Sequence, residues 1–254
     1  MRTVKILRLS HSSDTFAIPP PELRSWAIAE RALSEASGEP VTTVIKALWP
    51  TPGLVAAVDR WLENEEPDVV FIWVSAYWYL YGTIAGRLRQ VLPGIARPLS
   101  AGAGQLGRLR WLTESRPMQP VKGLAERVIG TAPAFTPEES VAVLESVIRR
   151  VLVREECLVV VRGATTPIFF RTRGQERRAR ELTADVDRRM AELCRRLHLE
   201  YISGSPVASI GEEAAIRQPD RVHWNEKGHE LYGAMEAERL VSAWRTWKGF
   251  APAP

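Results

Sequence analysis

The chain has 254 residues, 45% of them hydrophobic and 25% charged, a composition typical of a globular protein that buries one core. No run approaches the roughly 18 apolar residues of a membrane span. The N-terminal segment lacks the features of a secretory signal, so we expect a cytoplasmic protein. The net charge of +4 comes from arginines interspersed with acidic residues, which argues against a nucleic-acid partner. Cys157 and Cys194 form no CxxC pair, which argues against a disulfide framework or a zinc site.

Runs typical of strands alternate with runs typical of helices. The predicted strands are residues 4–9, 41–48, 68–74, 157–161 and 199–203. The predicted helices are residues 23–33, 53–62, 179–197 and 226–237. The third strand is apolar on both faces, as in the centre of a parallel sheet. This order predicts an α/β fold, a three-layer α/β/α sandwich with a central parallel sheet of about five strands, whose ligands bind beyond the carboxyl ends of the strands.

One irregular segment interrupts this alternation. We expect residues 1–250 to form one domain, in which residues 97–136 are too rich in glycine and proline for a simple connection. Two interpretations stay open for that segment: a lid or substrate-binding insertion, and an irregular excursion that packs beside the sheet. Residues 251–254 are expected to be a disordered tail.

Two polar clusters, one near each end of the chain, carry residue types suited to nucleophilic catalysis. Asp220 precedes His223 by three positions, so its carboxylate can accept from one ring nitrogen while the other nitrogen faces a substrate. Ser12 and Ser13 follow the first strand, where a hydroxyl lies at the carboxyl edge of the sheet beside the amides of a helix start. Serine is also a common turn and N-cap residue, so a purely structural role stays open.

The strand-edge serines, the alternating elements and the late Asp-x-x-His together resemble the SGNH hydrolase superfamily, also called GDSL-type esterases and lipases. The resemblance covers most of the chain and implies the flavodoxin-like SGNH fold. Asp220 and His223 match the catalytic positions of the last block, and Asn225 and Gly228 follow as in its common form. Trp224 stands where the family often has proline.

The first block of the family is matched only in part. Its Gly-Asp-Ser is replaced by Ser10-His11-Ser12 or, one residue later, by His11-Ser12-Ser13. We prefer Ser12 as the nucleophile, with Ser13 as the competitor. His11 is expected either to hydrogen-bond within the site or only to occupy the turn. Asn225 either contacts substrate or caps the following helix, and His229 is expected to be a structural residue of that helix.

The middle blocks depart further from the family. Gly53 follows the second strand and is the counterpart of the glycine whose amide binds the oxyanion, unless it only begins a helix. After the third strand the family places Gly-x-Asn, whereas this chain has Val-Ser-Ala-Tyr-Trp-Tyr in residues 74–79. The hydroxyl of Ser75 or Tyr77 is a candidate replacement donor. Alternatively, the aromatic cluster forms a wall for a sugar or acyl group, or only covers the end of the sheet.

The resemblance implies two-step acyl transfer, in which His223 deprotonates the serine and the acyl-enzyme is resolved by water. The expected substrate is a small ester or an acylated carbohydrate, and neither a metal nor an organic cofactor is expected. A homo-oligomer stays open. Two alternatives remain: a binding or regulatory protein of the same fold with impaired catalysis, and an acyltransferase that passes the acyl group to a sugar hydroxyl.

Overall fold

A computed structural model describes residues 2–15, 19–49, 53–83, 87, 132–133, 135–166, 172–204 and 210–249. The strands in these ranges are β1 (Val4–Ser10), β2 (Val41–Ala47), β3 (Val69–Trp73), β4 (Gly82–Thr83), β5 (Ala132–Pro133), β6 (Leu158–Arg162) and β7 (Glu200–Ile202). The α-helices are α1 (Ser12–Thr15), α2 (Ser25–Ser37), α3 (Leu54–Glu65), α4 (Tyr77–Leu80), α5 (Pro137–Leu152), α6 (Arg173–Arg196), α7 (Ile210–Ala215) and α8 (Glu226–Trp247).

Five of the strands form one parallel sheet in the order β2-β1-β3-β6-β7. The predicted α/β class and the parallel five-stranded sheet are therefore confirmed. β1 lies between β2 and β3, so the chain that leaves its carboxyl end emerges near the middle of the sheet edge. β4 and β5 form a separate antiparallel pair. All five residues of β3 are buried, as its apolar character on both faces predicts.

The two faces of the sheet carry separate hydrophobic cores. Helices α3, α5 and α6 cover one face, with Val58, Val147 and Val186 among their fully buried residues. Helices α2 and α8 cover the other face, where Leu33 and Leu240 are buried. Successive side chains of β3 divide between these cores because neighbouring residues of a strand point to opposite faces. The result is the predicted three-layer sandwich.

Helix α5 is an element that the sequence prediction lacks. Thr136 accepts a hydrogen bond from the amide of Glu139, and the Glu139 carboxylate accepts one from the amide of Thr136. This capping box, with Pro137 in the first turn, is a recognisable helix-start signal. Most of the predicted irregular segment 97–136 lies outside the described residues, as does the tail 251–254. No helix in the described part of the chain is long and apolar enough to cross a membrane.

Candidate active site

Ser12, His223 and Asp220 form one hydrogen-bonded chain at the carboxyl edge of the sheet. The Oγ atom of Ser12 lies 3.2 Å from Nε2 of His223. The other ring nitrogen, Nδ1, lies 2.6 Å from Oδ2 of Asp220. Such a chain can pass a proton from the hydroxyl to the imidazole while the carboxylate orients the ring.

The end of β1 places Ser12 at this edge. β1 ends at Ser10, and Ser12 is the first residue of the short helix α1. Successive residues of a helix point about 100° apart, so two adjacent serines cannot face the same partner. Among the described residues, Ser12 makes the hydrogen bond to His223, whereas the amide of Ser13 faces Nδ1 of His11 at 3.5 Å.

The loop that carries His223 is held by its own backbone. The amide of Gln218 donates to the carbonyl of His223 at 2.8 Å, and the side-chain amide of Gln218 donates to the carbonyl of Trp224 at 2.8 Å. Arg221 lies between Asp220 and His223 in the sequence. Its positive φ of 60° bends the chain sharply. That bend is compatible with Asp220 and His223 pairing at a separation of three residues.

Asp220 accepts two further hydrogen bonds from this loop. The amides of Val222 and His223 donate to its Oδ1 at 2.8 and 3.0 Å. Partial burial disfavours the ionised form, but the hydrogen bonds from the His223 ring and the two amides hold the pKa of Asp220 below its ordinary value. The residue is therefore a carboxylate at neutral pH and can stabilise an imidazolium.

The side chain of Asn225 caps a helix, which is one of its two predicted roles. Its Oδ1 accepts from the amide of Gly228 at 3.0 Å and so caps α8. Its side-chain nitrogen donates to the carbonyls of Ala215 and Arg217 at 2.8 and 3.2 Å. Both polar atoms of Asn225 are thus used inside the protein. His229 is fully buried within α8, as its expected structural role requires.

His11 is a buried member of the site. Its ring centroid lies 4.0 Å from that of Trp73. Burial, and after it the charges of Arg162, Arg8 and Arg217, lower the pKa of His11 well below its ordinary value. The ring is therefore neutral, and because Nδ1 faces the amide of Ser13, we assign the proton to Nε2.

A small cavity beside the triad is lined by several of the predicted site residues. The described residues that line it are His11, Ser13, Ala76, Tyr77, Thr165, Arg217 and Val222. Burial raises the pKa of Tyr77 to about 12, so its phenol stays protonated and can donate a hydrogen bond. Tyr77 therefore brings a hydrogen-bond donor to the cavity, and its replacement of the family's asparagine stays a prediction.

Ser75 and Gly53 are less closely tied to the site. Ser75 is buried, and its hydroxyl has no hydrogen-bond partner among the described residues. Gly53 is exposed and directly precedes α3, while residues 50–52 lie outside the described ranges. Neither residue lines the cavity, so their predicted roles as oxyanion donors stay predictions.

A buried charge network behind the triad was not predicted. Arg8 of β1 pairs with Asp14 of α1 at 2.5 Å and with Glu236 of α8 at 2.9 Å, and Arg162 of β6 binds the same Glu236. Burial disfavours the charged form of Arg8, but the two carboxylates raise its pKa above the ordinary value. Arg8 therefore ties the nucleophile turn to α8. A lone arginine within the apolar run of β1 is the sequence signal that indicates such a partner.

Comparison with known proteins identifies the fold. No family model matches the chain, and no curated protein shows significant sequence similarity to it. Solved structures are similar over nearly the whole chain. TesA is 11% identical, with a TM-score of 0.55 over 96% of this chain and 99% of that one. A carbohydrate acetylesterase from Sinorhizobium meliloti is 11% identical, with a TM-score of 0.55 over 94% and 98%.

A third similar structure is the esterase EstA from Pseudoalteromonas sp., inhibited by monoethylphosphonate. It is 12% identical, with a TM-score of 0.52 over 96% of this chain and 98% of that one. Together these similarities show that the chain shares its fold with these three proteins, which supports the resemblance noted in the sequence at the level of the fold alone. Among the described residues, no group of three or more His, Cys, Asp or Glu side chains is placed to hold a metal ion.

Proposed function

We propose that the protein is a divergent SGNH esterase that hydrolyses a small ester or an acylated sugar through Ser12, His223 and Asp220. The observation that carries this proposal is the continuous hydrogen-bonded chain from the Ser12 hydroxyl through His223 to Asp220. The solved structures with the same fold include an esterase and a carbohydrate acetylesterase, which supports ester hydrolysis as the reaction class.

The reaction runs in two steps. His223 takes the Ser12 proton at Nε2, and the alkoxide attacks the ester carbonyl to form a tetrahedral intermediate. The imidazolium, stabilised by Asp220, returns the proton to the departing alcohol, leaving an acyl group on Ser12. Water then adds to this acyl-enzyme with His223 again as base, which releases the acid and restores the serine.

Oxyanion stabilisation requires donors beside the Ser12 hydroxyl. The amide of Ser12 belongs to the first turn of α1, where backbone N–H groups have no partner within the helix. We assign the side-chain donor that the family takes from asparagine to the protonated phenol of Tyr77.

Hydrolysis of nitrophenyl acetate and of longer nitrophenyl esters tests this proposal. The wild type should hydrolyse the short ester and react with a nitrophenyl ester of monoethylphosphonate. Ser12 displaces nitrophenol from phosphorus, which gives a single monoethylphosphonate adduct on Ser12 that peptide mass identifies. Ser12→Ala and His223→Ala should each lose at least about a thousandfold in kcat. The matched control Ser13→Ala should keep activity within about tenfold, because the hydroxyl that hydrogen-bonds to His223 is that of Ser12.

Three different outcomes would each contradict one part of this proposal. An adduct on Ser13, with activity retained in Ser12→Ala, would move the nucleophile by one residue. A wild-type protein that neither hydrolyses any of these esters nor reacts with the phosphonate would favour the binding-protein alternative. Product that forms only after a carbohydrate acceptor is added would indicate an acyltransferase.

A further inference from the structure

Four aromatic rings from different parts of the chain pack on one another near the triad. The ring centroids of His11 and Trp73 are 4.0 Å apart, with planes tilted by 48°. Those of Trp73 and Trp224 are 4.6 Å apart with planes 19° from parallel. Trp224 in turn stacks on Tyr232 at 3.9 Å and 14°. We call these four residues the aromatic stack. It links the end of β1, the end of β3, the loop before α8, and α8 itself.

The aromatic stack contains the residues next to Ser12 and His223 in the sequence. His11 precedes Ser12, Trp224 follows His223, and both rings pack against the indole of Trp73. Trp73 and Trp224 are fully buried. By contrast, 22% of the His223 side chain and 44% of the Asp220 side chain are exposed. The position of the His223 ring therefore depends less on burial of its own side chain than on burial of Trp224, the next residue in the sequence.

The buried guanidinium of Arg162 packs against three rings of the aromatic stack. The guanidinium carbon lies 4.3 Å from the ring centroids of Trp73 and Tyr232 and 4.7 Å from that of Trp224. One terminal nitrogen binds Glu236. The other two guanidinium nitrogens have no hydrogen-bond partner among the described residues, so the ring faces are their main contact. Sliding one ring along another would break several of these contacts together.

We propose that Trp73 and Trp224 are positioning residues that set the distance between Ser12 and His223. This inference rests on the proposed function, because it concerns the geometry of that triad. The reacting atoms are 3.2 Å apart, and a displacement of about 1 Å is enough to slow a reaction on the order of a hundredfold. The loop of residues 216–225 contains no helix or long strand, so a buried indole on Trp73 fixes its depth above the sheet.

Substitution of Trp224 separates positioning from general stability. Trp224→Leu keeps an apolar side chain but removes the ring, and Trp224→Phe keeps an aromatic face for Trp73. The matched control is Trp244→Leu, since Trp244 is a buried tryptophan of the same hydrophobic core, and its ring contacts in the described part of the chain are Trp247 and Lys248. kcat and KM on nitrophenyl acetate, per mole of folded enzyme, and the rate of phosphonate labelling give the readout.

We expect Trp224→Leu to lower kcat about a hundredfold with little change in KM, and to slow phosphonate labelling in parallel. Trp224→Phe should recover most of the loss. Trp244→Leu should lower stability but keep kcat within about twofold, because it leaves the stack intact. A Trp224→Leu enzyme with wild-type kcat would overturn the positioning role and leave the esterase proposal standing.

The other end of the stack gives a second test in case Trp224→Leu does not fold. His11→Phe keeps a ring on Trp73, whereas His11→Ala removes it, and both remove the same imidazole from the cavity. The positioning role predicts a kcat for His11→Phe about tenfold above that of His11→Ala or more. Equal values would contradict it. A wild type without ester turnover and without a phosphonate adduct would overturn both proposals together.

Discussion

Nε2 of His223 lies 3.2 Å from Oγ of Ser12, although 211 positions separate the two residues in the sequence. β1 brings the serine to the middle of the sheet edge, and the loop before α8 brings the histidine back over it. The candidate site is therefore an arrangement of the two ends of the chain. Substitutions can disturb it through the residues themselves, through the loop, or through the buried groups that join β1 to α8.

Asp220→Asn should leave the loop folded and remove most of the activity. Asparagine keeps the shape of the side chain, but it can present its amide to Nδ1 and favour the wrong tautomer of His223. We expect kcat on nitrophenyl acetate to fall on the order of a thousandfold or more. Glu226→Gln, which removes an exposed negative charge nearby, serves as the control and should stay close to wild type. An Asp220→Asn enzyme within a few-fold of wild type would remove Asp220 from the mechanism.

Glu236→Gln should destabilise the whole domain. Glu236 is the shared partner of Arg8 and Arg162, and all three side chains are fully buried. Loss of its charge leaves two buried guanidinium groups with Asp14 as their neighbouring carboxylate. We expect the free energy of unfolding in urea to fall by about 3–5 kcal/mol.

An exposed carboxylate gives the matched control for that experiment. Glu192 pairs with Arg195 on the outer surface of α6, where solvent screens the interaction. Glu192→Gln should therefore leave the urea midpoint nearly unchanged. Equal effects of the two substitutions would show that the buried network contributes no more than a surface pair.

Stability should fall as the pH is lowered from about 6.5 to about 4, partly through His229. Burial lowers the pKa of His229 from 6.5 to about 4, and its Nδ1 accepts from the amide of Ser25 at 3.3 Å. Between these values the unfolded chain binds a proton that the folded chain does not, so acid favours unfolding. The contribution is about 3 kcal/mol across the window.

Urea unfolding at several pH values measures this effect. His229→Gln, whose amide oxygen can accept from Ser25, should show a shallower loss of stability between pH 6.5 and 4 than the wild type. His11, whose pKa is also lowered, leaves part of the slope in place. Identical slopes for the wild type and the variant would mean that His229 is not buried in its neutral form.

Gly228→Ala should shift the loop that carries His223. A methyl group on Gly228 would overlap the carbonyl oxygen of Ile216 and lie 2.8 Å from Cβ of Trp224. We expect a loss of about 1–3 kcal/mol in stability and a fall of at least about tenfold in kcat. Gly211→Ala is the matched helical control, since a methyl group there meets no atom of the described residues within 4 Å. Similar kcat values for the two variants would contradict this account of the loop.

Local patterns in the sequence predicted most of the sheet. The apolar run of residues 68–74 and the observed β3, Val69–Trp73, differ by one residue at each end. The pairing of Asp220 with His223 was also predictable, because it depends on a spacing of three residues. Ser12 and Ser13 were not separable from the sequence, since the direction of each hydroxyl depends on how α1 leaves the sheet.

Local sequence patterns do not identify which residues far apart in the chain contact each other. A charge within the apolar run of β1 indicates that Arg8 needs a carboxylate, but it does not say which of the chain's 30 acidic residues supplies it. The stacking of Trp224 on Trp73 likewise joins residues about 150 positions apart through the packing of α8 on the sheet. Helix α5 is different, because its capping box is a local pattern that is visible in the sequence.

The partnership of Arg8 and Glu236 has a consequence for synthesis on the ribosome. Arg8 is made 228 positions before Glu236, so a nascent chain that has completed β1, β2 and β3 still lacks one of the two acids that neutralise its interior. The same late segment of the chain carries His223. A chain that lacks this segment therefore lacks both the buried counter-charge and the proposed base.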